Sequence, residues 1–176
     1  MVNIGVLISG GGTNLQAVID GCENKTINGK VKVVISNKSE AYGLERAKKH
    51  NIKAICEKDE DKIIEILKEN EIELVILAGY LKIVSPKLIN EYRNRIINIH
   101  PSLIPAFCGK GYYGEKVHQG VIDYGVKVTG ATVHFVDEGA DTGPIIMQKT
   151  VKVKQDDDAK KLAARVLEVE HEILTK

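Results

Sequence analysis

The sequence has almost no net charge and no long hydrophobic run, and each absence excludes a class of partner. Among its 176 residues, 25 Lys and Arg oppose 24 Asp and Glu, which gives a formal charge of +1. Binding to nucleic acid or to a membrane through a broad basic surface needs a large positive field, so we expect neither. No apolar run approaches the roughly 20 residues of a transmembrane helix, and the N-terminus has no signal-peptide pattern. We therefore expect small-molecule partners and a cytoplasmic location.

The sequence also has few cysteines. Cys22, Cys56 and Cys108 are odd in number and far apart, which favours reduced thiols over a disulfide framework. No C-x-x-C pair is present, so we expect neither a structural zinc site nor another bound metal. With 43% hydrophobic and 28% charged residues, the composition is typical of a globular domain.

Short apolar segments alternate with amphipathic ones along the first half of the chain. Residues 2–8, 31–35, 52–56, 74–78 and 95–99 are apolar runs of strand length, and the segments between them have helical periodicity. This alternation predicts a parallel sheet with right-handed crossover connections. The rest of the chain predicts a long loop, a helix, two strands joined by an acidic turn, and a last helix. We therefore predict a single-domain, Rossmann-like α/β fold with an open, mostly parallel sheet, helices on both faces and a late antiparallel strand.

Three consecutive glycines lie between the first predicted strand and the first predicted helix, in the segment Gly10-Gly-Gly-Thr-Asn14. Free backbone N–H groups and the helix dipole make such a turn an anion site, and Thr13 adds a hydroxyl donor. No Gly-Lys-Ser/Thr follows, which excludes a Walker A loop, and Leu15 stands where a dinucleotide fingerprint needs its third glycine. The segment therefore predicts a phosphate site, the alternative being a turn that only begins a helix.

A second glycine pattern, Gly109-Lys-Gly-Tyr-Tyr-Gly114, matches the letters of the dinucleotide motif G-x-G-x-x-G. That motif requires a strand immediately before it, whereas Pro101 and Pro105 precede this segment. We interpret it as an active-site loop and do not expect it to bind a nucleotide.

Asn98 and His100 lie at the C-terminal end of a predicted parallel strand, the edge at which open α/β sheets bind ligands. Alternation along a strand places both side chains on one side, where they offer an amide donor and a titratable imidazole. Asp141 lies in the acidic turn between the two late strands, and a carboxylate beside His100 would raise the pKa of the imidazole. Together the three groups suit acyl transfer, with donors for an oxyanion and a group that moves protons. Taken singly, His100 could equally be a hydrogen-bonded strand-end histidine, and Asp141 an ordinary turn residue.

Longer motifs extend these observations over most of the chain. They are Leu7-Ile-Ser-Gly-Gly-Gly-Thr-Asn14, Ser36-Asn-Lys38, Leu77-Ala-Gly79, Asn98-Ile-His-Pro-Ser-Leu-Ile-Pro105, Val133-His-Phe-Val136, Asp141-Thr-Gly-Pro144 and Glu170-His171. Together they resemble the phosphoribosylglycinamide formyltransferases, a folate-dependent family of purine biosynthesis. The His-Pro-Ser-Leu block with a downstream Asp-x-Gly-Pro is specific to formyltransferases of this fold.

The resemblance implies transfer of the formyl group of 10-formyltetrahydrofolate to the amine of N1-(5-phospho-D-ribosyl)glycinamide, by direct attack of the amine through a tetrahedral intermediate. It also implies that Asn98 and a protonated His100 stabilise the oxyanion, while Asp141 holds His100 in that state and assists proton transfer. The implied unit is one catalytic domain over residues 1–176, with a phosphate-binding half at about 1–95 and a folate and catalytic half at about 96–176.

Binding residues for both substrates also follow from the resemblance. It implies that Gly12, Thr13, Asn14 and Glu170 hold the ribonucleotide, with its phosphate at the glycine turn, and that His134 supports the catalytic groups from behind. The residues implied in folate binding are Leu81, Lys82, Ile83, Val84, Asn98, Val136, Asp137, Glu138 and Asp141.

The sequence departs from the family pattern in three places. The Cys108–Val117 loop differs from the family's commoner, shorter form, so its contacts are not implied. The folate-contacting arginine of the family has no clear counterpart, with Lys58 the nearest candidate, and Lys82 replaces a frequent arginine. The chain ends at Lys176, where the family usually continues, so we expect a truncated C-terminal end. The motifs are compatible with a monomer or a homodimer.

Other functions suit parts of the same pattern. Formyltetrahydrofolate deformylase shares the Asn-His-Pro-Ser block, but it normally carries an N-terminal regulatory domain and its first turn need not bind phosphate. Sugar-nucleotide and methionyl-tRNA formyltransferases are further alternatives, the second with an added nucleic-acid-binding domain and more positive charge. A non-enzymatic nucleotide-binding module would explain the glycine turn but not Asn98, His100 and Asp141 together.

Overall fold

Strands and helices alternate along most of the chain. The computed structural model describes residues 1–176 and contains seven strands and six helices. The strands are β1 (Val2–Ile8), β2 (Gly29–Ser36), β3 (Lys53–Cys56), β4 (Leu74–Leu77), β5 (Ile96–His100), β6 (Val128–Phe135) and β7 (Ile145–Lys152). The helices are α1 (Thr13–Glu23), α2 (Tyr42–Lys49), α3 (Glu60–Glu69), α4 (Pro86–Glu91), α5 (Glu115–Tyr124) and α6 (Ala159–Leu174). None of these helices combines the length and the apolar character that crossing a membrane requires.

The seven strands form one sheet in the order β3-β2-β1-β4-β5-β6-β7. The strands β1 to β5 are parallel to one another, whereas β6 runs antiparallel to both of its neighbours. Helices α1 to α4 supply the crossovers that parallel strands need. The predicted fold class is confirmed, and the late antiparallel strand is β6.

Hydrophobic side chains cover both faces of the sheet. Along β1, the side chains of Ile4, Val6 and Ile8 pack in the cluster that includes α1, α2 and α6, whereas Leu7 packs in the cluster that includes α3 and α4. All four side chains are fully buried. A strand that is buried on both faces shows no polar alternation, which explains the continuous apolar run in the sequence.

The order in which the chain adds strands to the sheet reverses at β1. The chain passes from β1 outward to β2 and β3, then returns to β4 on the other side of β1. Open α/β sheets bind ligands in the crevice that such a reversal leaves at the carboxyl ends of the strands. Here the crevice lies between the glycine turn after β1 and the segment that follows β4, next to the end of β5. The fold therefore brings the predicted phosphate turn to the same edge as Asn98 and His100.

Candidate active site

The glycine turn after β1 is shaped by its contact with α2. Gly12 precedes α1 with a left-handed backbone (φ 73°), and a Cβ atom there would lie 2.7 Å from Cα of Gly43. Two hydrogen bonds fix the approach, from Gly43 N–H to the Gly10 carbonyl at 3.0 Å and from Arg46 Nε to the Gly11 carbonyl at 2.7 Å. No side chain caps the first turn of α1. Its backbone N–H groups are therefore available to an anion, as the sequence predicts.

A buried polar pair links α1 to α6 behind the glycine turn. Asn14 Nδ2 donates to Glu170 Oε2 at 2.8 Å, while Asn14 Oδ1 is buried without a protein partner. Glu170 is only 7% exposed, and this burial raises the pKa of its carboxyl to about 7 although the Asn14 hydrogen bond acts in the opposite direction. Glu170 lies four residues after the buried Val166, on the same face of α6.

Asn98 contacts His134 across the antiparallel pair of β5 and β6, where the two residues are in register. Asn98 Nδ2 lies 3.2 Å from His134 Nε2, and His134 Nδ1 lies 2.8 Å from the Phe135 carbonyl. A carbonyl only accepts, so Nδ1 carries a proton and Nε2 accepts from the Asn98 amide. This contact orients the Asn98 side chain.

His100 is buried at the end of β5, with 4% of its surface exposed. Its Nε2 atom lies 2.9 Å from the Phe107 carbonyl, and its Nδ1 atom lies 3.6 Å from Asp141 Oδ2. Burial lowers the pKa of His100 below its ordinary value, because it outweighs the raising effects of the Phe107 carbonyl and Asp141. Asp141 thus acts on the pKa in the expected direction, but the loss of water has the larger effect. A carboxylate partner inferred from the sequence does not reveal how much water the imidazole loses.

Asp141 lies between the two histidines and on a left-handed backbone (φ 57°). Its Oδ2 atom accepts from Gly109 N–H at 2.9 Å, and its Oδ1 atom lies 3.7 Å from His134 Nε2. Burial alone would raise the pKa of Asp141, but the hydrogen bond from Gly109 N–H and the nearby His100 imidazole act in the opposite direction, and the pKa lies below its ordinary value. A left-handed non-glycine residue costs on the order of 1–3 kcal/mol. The surrounding contacts therefore hold the Asp141 carboxylate in a defined place beside His100.

These polar groups open into a pocket of about 480 Å³ at the carboxyl edge of the sheet. Asn98, His100, His134 and Asp141 all line it. Of the other residues implied in folate binding, Leu81, Lys82, Ile83, Val84, Val136 and Asp137 line the same pocket. The exception is Glu138, which is not part of the lining and pairs with Arg93 at 2.6 Å. Glu138 lies in an exposed turn and is held by the Arg93 guanidinium, which explains why it does not line the pocket.

The Gly109–Gly114 segment lines the other side of the pocket. It is a loop with no strand directly before it, which confirms the predicted loop. Tyr112 and Tyr113 are part of the lining and remain partly exposed. Cys108, just before the segment, donates to the Pro105 carbonyl at 3.3 Å, and burial raises the pKa of its thiol. A raised pKa disfavours the thiolate, so Cys108 is not an activated nucleophile.

One site contact was missed by the sequence reasoning. Ser9 Oγ donates to Asn37 Oδ1 at 2.6 Å and accepts from Leu81 N–H at 2.9 Å. This buried hydroxyl joins the ends of β1 and β2 to the Leu81–Val84 segment of the pocket wall. The Ser36-Asn-Lys38 motif contains the Asn37 partner, but the motif alone does not indicate this contact.

The residues implied for the ribonucleotide, Gly12 to Asn14 and Glu170, lie outside this pocket lining.

No three or more His, Cys, Asp or Glu side chains are grouped so that they could hold a metal ion. The three cysteines are free thiols. The polar groups of the site are therefore amide, imidazole and carboxylate groups together with backbone N–H groups.

Residues 2–176 match the sequence profile of a family described as formyl transferase. The chain belongs to the formyl transferase family. It is 44% identical to the chloroplastic phosphoribosylglycinamide formyltransferase of Vigna unguiculata, over 97% of this chain and 57% of that protein. It is 39% identical to the phosphoribosylglycinamide formyltransferase of Escherichia coli (strain K12), over 98% of this chain and 83% of that protein. The chain thus spans less than two thirds of the plant formyl transferases, 57% and 62%, and more of the bacterial one.

Solved formyl transferase structures share the fold closely. A crystal structure of glycinamide ribonucleotide transformylase 1 from Symbiobacterium toebii superimposes with a TM-score of 0.93 at 44% identity, over 99% of this chain and 84% of that one. A crystal structure of phosphoribosylglycinamide formyltransferase from Bacillus halodurans gives 0.90 at 36% identity, over 98% of this chain and 91% of that one. The family resemblance drawn from the motifs is confirmed.

Proposed function

We propose that this chain transfers the formyl group of 10-formyltetrahydrofolate to the amine of N1-(5-phospho-D-ribosyl)glycinamide, a step of purine biosynthesis. The observation that carries the proposal is the convergence of Asn98, His100 and Asp141 on one pocket at the carboxyl edge of the sheet. The glycine turn at the same edge and the similarity to phosphoribosylglycinamide formyltransferases support the same activity.

The ribonucleotide is assigned to the glycine turn. The uncapped N-terminus of α1 suits a phosphate, because its N–H groups and the helix dipole both favour an anion. Thr13 adds a hydroxyl donor there. The linked Asn14 and Glu170 side chains suit the ribose hydroxyls, since an amide and a carboxyl can each exchange hydrogen bonds with a hydroxyl. The ribonucleotide would therefore contact the N-terminal half of the domain and α6 of the C-terminal half.

The folate is assigned to the pocket beside Asp141. A volume of about 480 Å³ lies within the range of small-molecule sites. Leu77, Val84 and Val136 give it an apolar wall, and the Tyr80–Val84 segment brings backbone groups to its rim. A flat heterocycle with polar edges fits such a lining. Lys82 at the same rim suits the carboxylates of the folate tail.

The proposed reaction forms a bond between the substrate amine and the formyl carbon and breaks the bond from that carbon to N10 of the folate. The proton that the amine loses ends on N10. Asn98 gives one amide hydrogen to His134 and keeps the second for the oxyanion that develops on the formyl oxygen. His100 takes up a proton at Nδ1 as that charge develops, because the oxyanion and Asp141 both favour the imidazolium.

The test supplies 10-formyltetrahydrofolate with and without the ribonucleotide and measures the consumption of the folate. We expect consumption only when the ribonucleotide is present, with one formylated ribonucleotide formed for each tetrahydrofolate. Equal consumption in both reactions, with release of formate, would identify a hydrolase and overturn the proposal.

A further inference from the structure

The segment Phe107–Gly109 contacts both His100 and Asp141 through backbone atoms. The Phe107 carbonyl lies 2.9 Å from His100 Nε2, and Gly109 N–H donates to Asp141 Oδ2 at 2.9 Å. The segment lies in the loop between β5 and α5, so neither contact belongs to regular secondary structure. A short piece of loop therefore sets the geometry of an imidazole and of the carboxylate that faces it.

The Phe107 contact decides which ring nitrogen of His100 carries a proton. A carbonyl oxygen can only accept, so the hydrogen bond keeps a proton on Nε2. The other nitrogen, Nδ1, then faces Asp141 and is the one that can gain and lose a proton. In histidines the hydrogen bond made by one ring nitrogen commonly sets the role of the other.

We propose that Phe107 is a positioning residue for formyl transfer: its carbonyl fixes the proton of His100 on Nε2 and directs Nδ1 to Asp141, while its side chain anchors that carbonyl. The inference rests on the proposed function, because it concerns the histidine that is assigned to proton transfer there. Phe107 acts through His100 and takes no part in the bond changes itself.

The anchor consists of aromatic packing around a left-handed backbone. Phe107 has a φ of 49°, a conformation that phenylalanine rarely adopts without support. Its ring packs edge-to-face on Tyr112, with centroids 6.1 Å apart, and on Tyr124, with centroids 6.0 Å apart. Ser102 Oγ also donates to the Ala106 carbonyl at 2.6 Å, which holds the preceding residue. These contacts support the orientation of the Phe107 carbonyl towards His100.

Helix α5 leaves space for this packing at Gly120. A Cβ atom at that position would lie 3.1 Å from Tyr112 Cε1 and 3.3 Å from Phe107 Cδ1. Glycine in a helix interior is less favourable than alanine. Gly120→Ala therefore favours the helix itself, and the three atoms nearest to the new methyl group all belong to the two rings. The substitution is thus a selective probe of the anchor.

The first experiment compares Gly120→Ala with Gln119→Ala. The second variant is the control, because it places an alanine at the neighbouring, exposed position of the same helix. We expect Gly120→Ala to lower kcat by about threefold to tenfold with little change in either KM, because a misplaced catalytic group costs rate more than binding. Gln119→Ala should match the wild type. Phe107→Ala should lower kcat by about tenfold or more, and Phe107→Tyr, which keeps the ring, should restore it.

The second experiment reads the His100 ring by ¹⁵N NMR in the protein without substrates. The wild type should show a proton fixed on Nε2, and Phe107→Ala should show averaging between the two nitrogens, which a general loss of stability would not produce in a folded protein. A wild-type proton on Nδ1, or unchanged kcat and ring signals in Phe107→Ala, would overturn the inference. A wild type that does not formylate the ribonucleotide would instead overturn the proposed function, and the ring signals would still decide the role of Phe107.

Discussion

Glu170 beside the glycine turn and His100 at the end of β5 are both buried, yet burial changes their pKa values in opposite directions. It raises the pKa of the Glu170 carboxyl to about 7 and lowers the pKa of the His100 imidazole. The first group is neutral when protonated and the second when deprotonated, so the same loss of water favours the neutral form of each. A ligand that brings charge to either region therefore changes the protonation state there.

The two regions also differ in what holds them. Around the glycine turn, contacts join whole helices, through Gly12 against Gly43 and through Asn14 to Glu170. Around His100, the supporting atoms belong to loops, such as the Phe107 carbonyl. Helix contacts are maintained by the core, whereas loop contacts rearrange at a lower energetic cost. The glycine turn is therefore a rigid, preformed part of the fold, and the surroundings of His100 depend on loop geometry.

Removal of the His100 imidazole should have the largest effect, and it should affect one region and not the other. We expect His100→Ala to lower turnover at least ~100-fold, the usual scale of acid–base and oxyanion contributions, while ribonucleotide binding at the glycine turn persists. Steady-state kinetics and a ribonucleotide titration measure the two effects. His50→Ala, a surface histidine paired with Glu23, is the control and should behave as the wild type. Near-normal turnover of His100→Ala would remove His100 from the mechanism.

Titration of Glu170 should appear as a pH dependence of stability. Its ordinary pKa is 4.5 and its folded value is about 7, so the folded protein binds the proton more tightly and its stability falls as pH rises through that window. The total is on the order of 3 kcal/mol. Glu170→Gln keeps an acceptor for Asn14 but has no carboxyl to titrate, so its stability should not fall as the pH rises through that window.

Chemical unfolding at a series of pH values compares the two proteins. The lowered pKa of His100 makes wild-type stability rise with pH below about 6.5, but this contribution is common to both proteins and cancels in their difference. If the free energy of unfolding depends on pH in the same way for the wild type and Glu170→Gln, burial does not raise the pKa of Glu170.

The rigidity of the glycine turn is tested by two neighbouring alanines. Gly12→Ala places a Cβ 2.7 Å from Cα of Gly43 on a left-handed backbone, and we expect it to lower the free energy of unfolding by about 2 kcal/mol. Gly11→Ala meets no atom within 4 Å and should leave stability nearly unchanged. Thermal or urea unfolding measures both. Equal stability of the two variants would mean that the turn tolerates displacement.

The smallest expected effect is that of the carboxylate on the imidazole. Asp141→Asn keeps an acceptor for Gly109 N–H but removes the charge that raises the pKa of His100. The limb of the pH–rate profile that reports His100 should move to lower pH, with turnover reduced about tenfold. Asp123→Asn, on the exposed surface of α5, is the matched control. An unchanged profile in Asp141→Asn would show that Asp141 does not act through His100.

Much of the fold follows from the sequence because its central strands are buried on both faces. The run Val2–Ile8 is apolar apart from Asn3, and the structure confirms it as β1 with the predicted bounds. The Asn98 and His100 pair also follows from local rules, since alternation along one strand places both on one side. The approach of Asp141 to His100, across 41 positions of sequence, came from the family resemblance and from no local pattern.

The parts that the sequence did not predict depend on backbone atoms and on how much water a side chain loses when it is buried. The Phe107 carbonyl and the Gly109 amide hold His100 and Asp141, and main-chain atoms leave no signature in residue types. The net lowering of the pKa of His100 was not predicted, because the degree of burial is a property of the packed structure. Ser9 was missed because a hydroxyl that joins three segments has no characteristic spacing.

The fate of the formyl carbon tests the central claim most directly. The protein is given 10-formyltetrahydrofolate labelled with ¹³C in the formyl group, together with the ribonucleotide, and the label is followed by NMR. The account predicts that the label moves to the amide of the formylated ribonucleotide, at a rate that falls at least ~100-fold in His100→Ala. Appearance of the label in free formate, at a rate independent of the ribonucleotide, would contradict it.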